Sequence, residues 1–275
     1  MIWQMAHGKH LDLNRTIVMG ILNVTPDSFS DGGQYIEREQ AVLHALEMEA
    51  QGADIIDIGG QSTRPGHTPV SAEEEWSRLR GIIPLIREKC SLPISVDTYY
   101  PLVAENALSA GADIINDVSG FGNPDMLTVA ARHNAGCVLM HSENIEEEQD
   151  APTRVRDFLM RRREEMHSIG ILNDRICFDV GIGFGKTNEQ NLRLIASMRE
   201  ACGSENPILA GVSRKRVIGN SCGNISAGER DFGTVAAHTI AVFCGADIIR
   251  VHNVPAAVQA ARVTDAVMGR GHSNG

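Results

Sequence analysis

Short apolar runs alternate with longer stretches of helical spacing along the whole 275-residue chain. The runs fall at 17–22, 55–58, 94–96, 114–115, 137–140, 176–178, 208–210 and 248–251. Each is too brief for a helix and bounded by turn-forming residues, so each predicts a strand buried on both faces. Between them, 38–51 offers Ala41, Leu43, Ala45, Leu46 and Met48 for a buried helix face, and 101–110 opens on a proline at the first turn. Strictly alternating strands and helices imply a parallel sheet. Eight strands are what a closed (β/α)8 barrel requires, and about 250 residues would build it.

Three of these strands are announced by one repeated pentapeptide, Gly-Ala-Asp-Ile-Ile, at 52–56, 111–115 and 245–249. A glycine that closes a helix in the left-handed conformation, followed at once by an apolar run, reads as a helix-to-strand step. Asp57, Asn116 and Arg250 follow the runs and would face the rim at the strands' carboxyl ends. A doubly wound open sheet shows the same alternation. Two features favour the barrel: no G-x-G-x-x-G opens a helix after the first strand, and polar residues follow nearly every strand rather than one switch point. Residues 2–13 precede the pattern and suit a hairpin closing the barrel's bottom. One domain over 1–275 is expected, with the hairpin in 1–14, the barrel in 15–268 and a tail in 269–275.

The strand ends supply the candidate chemistry: Asn23, Thr63 with Arg64, Asp97, Asn116 with Asp117, His141, Asp179, Ser213 to Lys215, and His252. Any one of these could be a cap, but capping alone does not call for carboxylates, amides and cations together at nearly every end. In a barrel they converge on one face. The segments 25–33 and 59–66 are long, rich in Gly, Pro, Ser and Asp, and read as lids, because Phe29 and Arg64 have little reason to sit on idle turns. The 181–187 stretch fails as a nucleotide loop, since Val180 stands where the first glycine is needed. The histidines show no metal-binding spacing, but Asn23 with nearby Asp residues could hold a hydrated Mg²⁺ bridging a diphosphate, which needs only one or two protein oxygens.

A formal net charge of -10 argues against a nucleic-acid partner. The acidic run 143–150 and the basic run 161–163 read as solvated surface. Six cysteines without C-x-x-C spacing, several within apolar runs, point to a reduced, cytoplasmic setting. The first ten residues lack a signal-peptide pattern, and no segment reaches the apolar length of a membrane span.

Taken in order, Met19 to Gly33 (MGILNVTPDSFSDGG), Ser62 to Gly66 (STRPG), Ser95 to Thr98, Ile115 to Asp117, Gly183 to Lys186, Ser213 to Lys215 and Arg250 to His252 resemble the dihydropteroate synthase family over almost the whole chain. The resemblance implies a barrel, usually dimeric, that condenses a hydroxymethyl-dihydropterin diphosphate with 4-aminobenzoate and releases pyrophosphate with Mg²⁺ present. It implies that Asp97, Asn116, Asp179 and Lys215 hold the pterin, that Arg250 lies over its face, and that Arg250, His252, Asn23 and Thr63 meet the diphosphate. Phe29, Thr63, Arg64, Pro65 and Arg216 would form the aminobenzoate pocket and its loops. Asp97, Lys215, Arg250 and His252 would carry the reaction, in which diphosphate departs before the amine attacks and no protein nucleophile takes part. Sulfonamides, which imitate aminobenzoate, would then compete for the same pocket.

The chain departs from the family pattern at Gln61, where glutamate is common, and at Tyr100, Val180, and Ser142 with Glu143. These leave two alternatives: a paralogue that binds pterin without turnover and, further off, a methyltetrahydrofolate-binding methyltransferase barrel. On the family resemblance Asp57 is expected to be structural.

Overall fold

The computed structural model describes residues 1–24, 33–61 and 68–271, with side chains of the first helix from residue 38 onward. An antiparallel hairpin of β1 (Ile2–Gln4) and β2 (His10–Asp12) leads into eight parallel strands. These are β3 (Ile17–Asn23), β4 (Ile55–Gly59), β5 (Ile94–Asp97), β6 (Ile114–Asp117), β7 (Gly136–Met140), β8 (Ile176–Asp179), β9 (Ile208–Ala210) and β10 (Ile248–Val251). They close in chain order, with β10 pairing back onto β3, so the expected (β/α)8 barrel is the fold. The connections hold α1 (Gly33–Ala50), α2 (Ala72–Leu79), α3 (Ile83–Lys89), α4 (Pro101–Ser109), α5 (Pro124–His133), α6 (Ala151–Ser168), α7 (Asn188–Ile195), α8 (Met198–Cys202), α9 (Arg216–Ser221) and α10 (Asp231–Phe243). After β10 comes α11 (Val254–Met268).

Several strands run past their apolar residues onto polar ones. The ladder pairs Asn23 with Gly59, Gly59 with Asp97 and Asp97 with Asn116, so the main chain stays in the sheet after the side chains turn polar. In α1 the buried face is Ala41, Val42, Ala45 and Met48; Leu43 points to solvent, because it lies about two hundred degrees round the helix from Ala41.

Strand periodicity divides the interior in two. Ile17, Met19, Ile55, Ile114, Val138, Cys177, Leu209 and Ile248 face inward and pack with Trp3 and Met5 of the hairpin region into an apolar floor. Trp3 is wholly buried there and its indole N–H donates to the Arg175 carbonyl at 3.0 Å. Side chains repeat every two residues along a strand. Two places beyond the floor, the same inward phase therefore brings Asp57, Asn116, Met140, Asp179 and Arg250 into the barrel. Ile94 and Val96 belong to the outer layer under the helices, which turns Asp97 inward with them.

The repeated pentapeptide proves to be a staple on the opposite, amino-terminal face. Gly52, Gly111 and Gly245 take φ of +97°, +109° and +109°, which a side chain would resist. The next residue, Ala53, Ala112 or Ala246, returns its N–H to a carbonyl of the helix just ended, at 2.9 Å in all three. The aspartate then grips one residue of the neighbouring strand at both ends. Asp54, Asp113 and Asp247 donate their N–H to the carbonyls of Val18, Ile94 and Ile208 at 2.7–2.8 Å. Their carboxylates accept the N–H of those same residues at 2.9, 2.9 and 3.0 Å. An arginine closes each copy: Arg15 on Asp54, Arg87 on Asp113 and Arg199 on Asp247.

Asp113 also takes Lys9 at 3.3 Å and His7 at 3.2 Å, which ties the hairpin connection to the barrel. It is wholly buried, whereas Asp54 meets a half-exposed arginine. Asp113→Ala should therefore cost about 3 kcal/mol, since it leaves partly buried cations and a buried Ile94 N–H without their shared acceptor, while Asp54→Ala should cost only about 1 kcal/mol. Urea unfolding of both variants checks this; equal losses would contradict the different burial of the two staples.

Candidate active site

The inward polar layer is organised around Arg250. From β10 its Nε donates to Asp57 Oδ2 at 2.5 Å and one terminal nitrogen donates to Asp97 Oδ2 at 2.6 Å. The Asn116 amide donates weakly to both oxygens of Asp57, at 3.3 and 3.4 Å. Asp57, expected to be structural, is thus part of this charged layer: it fixes the arginine and the amide from β4. Burial opposes a charge on Arg250, but Asp57 and Asp97 outweigh it and hold the guanidinium above its ordinary value. Burial pushes the Asp97 carboxyl up to about 7, against the pull of Arg250 and with added repulsion from Asp57. Among the described residues Asp97 Oδ1 is buried without a hydrogen-bond partner, an acceptor left for something else to meet.

Across the barrel, Asp179 ends β8 and accepts the Gly181 N–H on Oδ1 at 2.8 Å. Gly211 lies between Asp179 and Lys215: a side chain there would sit 3.3 Å from Asp179 Oδ2 and 3.7 Å from Lys215 Nζ. Glycine keeps that space open. Lys215 as a whole is only half-buried, but its ammonium donates to the Ile182 carbonyl at 2.6 Å and lies 4.9 Å from the centre of the Phe184 ring. Burial lowers it to about 8 in spite of Asp179, and burial raises Asp179 in spite of Lys215. The 181–187 segment that carries these partners is pinned by Lys186, which donates to the carbonyls of Gly181 and Phe184 and meets His141 Nδ1 at 3.0 Å. Burial takes His141 down to about 3, so the imidazole is neutral and accepts from the ammonium.

At the mouth, Ser213 Oγ lies 2.9 Å from His252 Nδ1 and accepts the His252 N–H at 3.2 Å, which joins the turns after β9 and β10. Asn23 ends β3, half-buried beside Gly59. The result is a cup whose base presents acceptors from Asp97 and Asp179 and a cation from Lys215, and whose wall carries Arg250.

The pattern of the family described as pterin binding enzyme matches residues 19–252. A dihydropteroate synthase of Clostridium beijerinckii is 45% identical over 258 residues, covering 93% of this chain and 96% of that one. The chain belongs to the dihydropteroate synthase family. A structure of Xanthomonas albilineans dihydropteroate synthase with 4-aminobenzoic acid is 43% identical with a TM-score of 0.90, covering 96% of this chain and 98% of that one. The Burkholderia cenocepacia enzyme complexed with 7,8-dihydropteroate is 38% identical with a TM-score of 0.89, covering 98% of each chain.

Of the residues the family resemblance singled out, Asp97, Asn116, Asp179, Lys215 and Arg250 come together in the cup, with His252 and Asn23 at its mouth. Arg216 is exposed at the start of α9. Phe29, Thr63, Arg64 and Pro65 lie outside the described residues, as does most of both segments expected to be lids.

The departures from the dihydropteroate synthase pattern are accounted for by packing. Gln61 is buried, donates to Glu75 Oε2 at 2.5 Å and accepts from the Tyr99 hydroxyl at 3.2 Å. Burial raises Glu75 to about 7. An amide beside it needs no proton to keep the contact, where a second carboxyl would. Tyr100 donates to the Val70 carbonyl at 2.6 Å, Val180 is wholly buried in the outer core, and Ser142 donates to the Ser119 carbonyl at 3.0 Å. None of them takes a place in the cup. Arg161 pairs with Glu143 at the surface, but the side chains of Arg162 and Arg163 are only 20% and 14% exposed, so the basic run is less solvated than its charge suggests.

The raised Asp97 makes stability depend on pH. The unfolded chain loses this proton near the ordinary value of 3.8 and the folded chain near 7. Folding therefore loses stability as pH rises through that window, and the loss is complete above it. Asp97→Asn should be more stable than wild type at about pH 8, by roughly 1–3 kcal/mol, with the difference closing toward about pH 4. Urea unfolding at both ends of the range measures it; a variant no more stable at the alkaline end would refute the assignment.

Proposed function

We propose that the chain condenses 6-hydroxymethyl-7,8-dihydropterin diphosphate with 4-aminobenzoate, giving 7,8-dihydropteroate and pyrophosphate. The observation that carries this reading is the base of the cup, where Asp97 with its unpartnered Oδ1, Asp179 and Lys215 come together with Asn116 alongside. An amino-pyrimidinone edge offers N–H donors to two carboxylates and an amide oxygen, and its carbonyl or ring nitrogen accepts a hydrogen bond from an ammonium. Arg250 lies against the ring held there, its guanidinium already oriented by Asp57 and Asp97. A planar cation suits both a ring face and a phosphate.

His252 and Asn23 at the mouth meet the diphosphate, with Ser213 setting the imidazole. As the carbon–oxygen bond breaks, the pterin delocalises the positive charge, and Arg250 and His252 stabilise the departing anion. The aromatic amine then attacks the methylene carbon, and no side chain forms a covalent bond. Asn23 would help to hold a hydrated Mg²⁺, which needs only one or two protein oxygens. Mg²⁺ bound there supplies charge neutralisation for the leaving diphosphate. The two substrates are small molecules, and a net charge of -10 offers no extended basic surface to a nucleic acid.

The working form in this reading is a homodimer. Phe232, Ala236, Ile240 and Phe243 form one exposed stripe on α10, beside exposed Val263 and Val267 on α11. Phe232 is 91% exposed, which water tolerates poorly across a contiguous patch. Six free cysteines suit a reducing, cytoplasmic setting. No helix of the described residues is long and apolar enough to cross a membrane.

Pyrophosphate should appear only when both substrates and Mg²⁺ are supplied, and 7,8-dihydropteroate should accumulate with it. Binding of the pterin without product would establish the non-catalytic paralogue instead. Asp97 must be ionised to accept and Lys215 protonated to donate, so kcat/KM for the pterin diphosphate should rise through about pH 7 and fall through about pH 8. A profile flat across that interval would contradict the assigned roles. Ile240→Glu should convert the dimer to monomer in sedimentation, and a wild type that sediments as a monomer would exclude the proposed interface.

A further inference from the structure

Helix α10 is turned inside out. Asp231, Thr234 and His238 recur at helical spacing on its inner side, opposite the exposed stripe of Phe232, Ala236, Ile240 and Phe243. Each inner residue meets the end of β9 or the turn that follows it. His238 Nε2 lies 3.1 Å from the Ala210 carbonyl. Thr234 Oγ1 accepts the Arg214 N–H at 3.0 Å. Asp231 accepts Arg214 through two bonds, from Nε at 2.6 Å and a terminal nitrogen at 2.8 Å.

Arg214 is the residue immediately before Lys215, and it holds φ at +56°, a left-handed conformation that only a tightly constrained side-chain-bearing residue keeps. The turn is closed by the Lys215 N–H on the Val212 carbonyl at 3.1 Å, and the Arg214 carbonyl accepts from Arg230 at 3.0 Å. The same Asp231 carboxylate reaches the second turn of the site. Its Oδ2 accepts from the Asn253 amide at 3.0 Å, and Asn253 follows His252 and caps α11 by accepting the Ala256 N–H at 3.1 Å. One carboxylate therefore clasps both turns, outside the Ser213–His252 contact that joins them within.

We propose that Asp231, supported by Thr234, is a positioning residue that fixes the Lys215 ammonium and the His252 imidazole relative to each other, and so aligns the ring-binding and diphosphate-binding ends of the cup. Asp231 touches no reacting group. It acts through Arg214 on one turn and through Asn253 on the other. A clasp on both turns has a consequence that simple support of the fold does not. Loosening it lets Lys215 move away from Ile182 and relax out of the burial that lowers its proton affinity, with Asp179, Asp97 and Arg250 as the charges around it.

The inference rests on the dihydropteroate synthase reading, and one set of assays separates the two. Asp231→Asn and Thr234→Val should fold, as judged by circular dichroism and melting. Both should lose kcat/KM for the pterin diphosphate, on the order of 10- to 100-fold for Asp231→Asn, because small misplacements of oriented groups are costly. KM for 4-aminobenzoate should stay within about threefold, since the loss falls on alignment at the pterin end. The alkaline limb of the Asp231→Asn pH profile should move upward from the wild-type position, and Asp231→Glu should recover part of the rate. Folded variants with wild-type kcat/KM and an unmoved alkaline limb would overturn the proposal. If Asp231→Asn does not fold, the Thr234→Val and Asp231→Glu profiles decide by the same criteria. An inactive wild type would count against the proposed function rather than against the clasp.

Discussion

Arg250 is the cation that lets two carboxylates share the water-poor interior of this barrel. Asp57 and Asp97 stand buried on neighbouring strands, and each ionised group carries a desolvation penalty of several kcal/mol. One guanidinium reaches both. Without it, the two would repel and one would hold its proton. With it, Asp97 still titrates far above an ordinary carboxylate, so the compensation is partial. Aliphatic side chains in the same positions would make a more stable barrel. A chain that keeps the costlier arrangement keeps it for a ligand, and the unpartnered Asp97 Oδ1 marks where that ligand's donor belongs.

The barrel tolerates this because stability and chemistry occupy opposite ends. The floor of Ile, Val, Leu and Met side chains beneath the charged layer is closed by Trp3, and three aspartate staples lock helix ends to neighbouring strands on the amino-terminal face. Each staple uses both the amide and the carboxylate of one residue, so it fixes register as well as distance. The carboxyl-terminal ends are then free to carry side chains chosen for what they bind. Lys186 repeats the logic locally: a buried ammonium that touches no proposed ligand site spends its donors on holding the segment against which Lys215 rests.

Much of this was legible in the chain. The eight apolar runs are the eight strands, and several of the polar residues that end them, Asp97, Asn116, Asp179 and Arg250, line the cup, because period two and a closed barrel leave few other places for them; Asp117 instead accepts the Ser119 and Phe121 N–H groups and His141 meets Lys186. What escaped was relational. The aspartate of the repeated pentapeptide looks like a spacer between glycine and strand; only the neighbouring strand's N–H reveals its purpose. The family resemblance made Asp57 a structural residue rather than a rim one, yet its partner is Arg250, 193 positions away on β10. Leu43 looks suited to a buried face and is exposed, because apolar content is not phase. Gln61 suggested lost catalysis, whereas its neighbour Glu75, fourteen places on, explains it as packing. No local pattern carries such pairings.

Helix α10 shows the same limit in its sharpest form. By pattern alone, 231, 234 and 238 form a polar face and 232, 236, 240 and 243 an apolar one, and the ordinary inference turns the apolar face inward. The fold does the reverse. The end of β9 and the turn after it present a carbonyl at Ala210 and an N–H at Arg214 to the helix, and buried backbone groups of that kind demand polar partners. Small residues between them, Ala237 and Ala241, supply close packing without competing for those bonds. The large apolar side chains are displaced to the outside, where water is a poor neighbour. An inverted helix of this kind is the expected result wherever one element must satisfy a polar turn on one side and meet another protein surface on the other. Its polar residues belong to the turns of the site, its small apolar ones to the core, and its exposed stripe suits the interface proposed above.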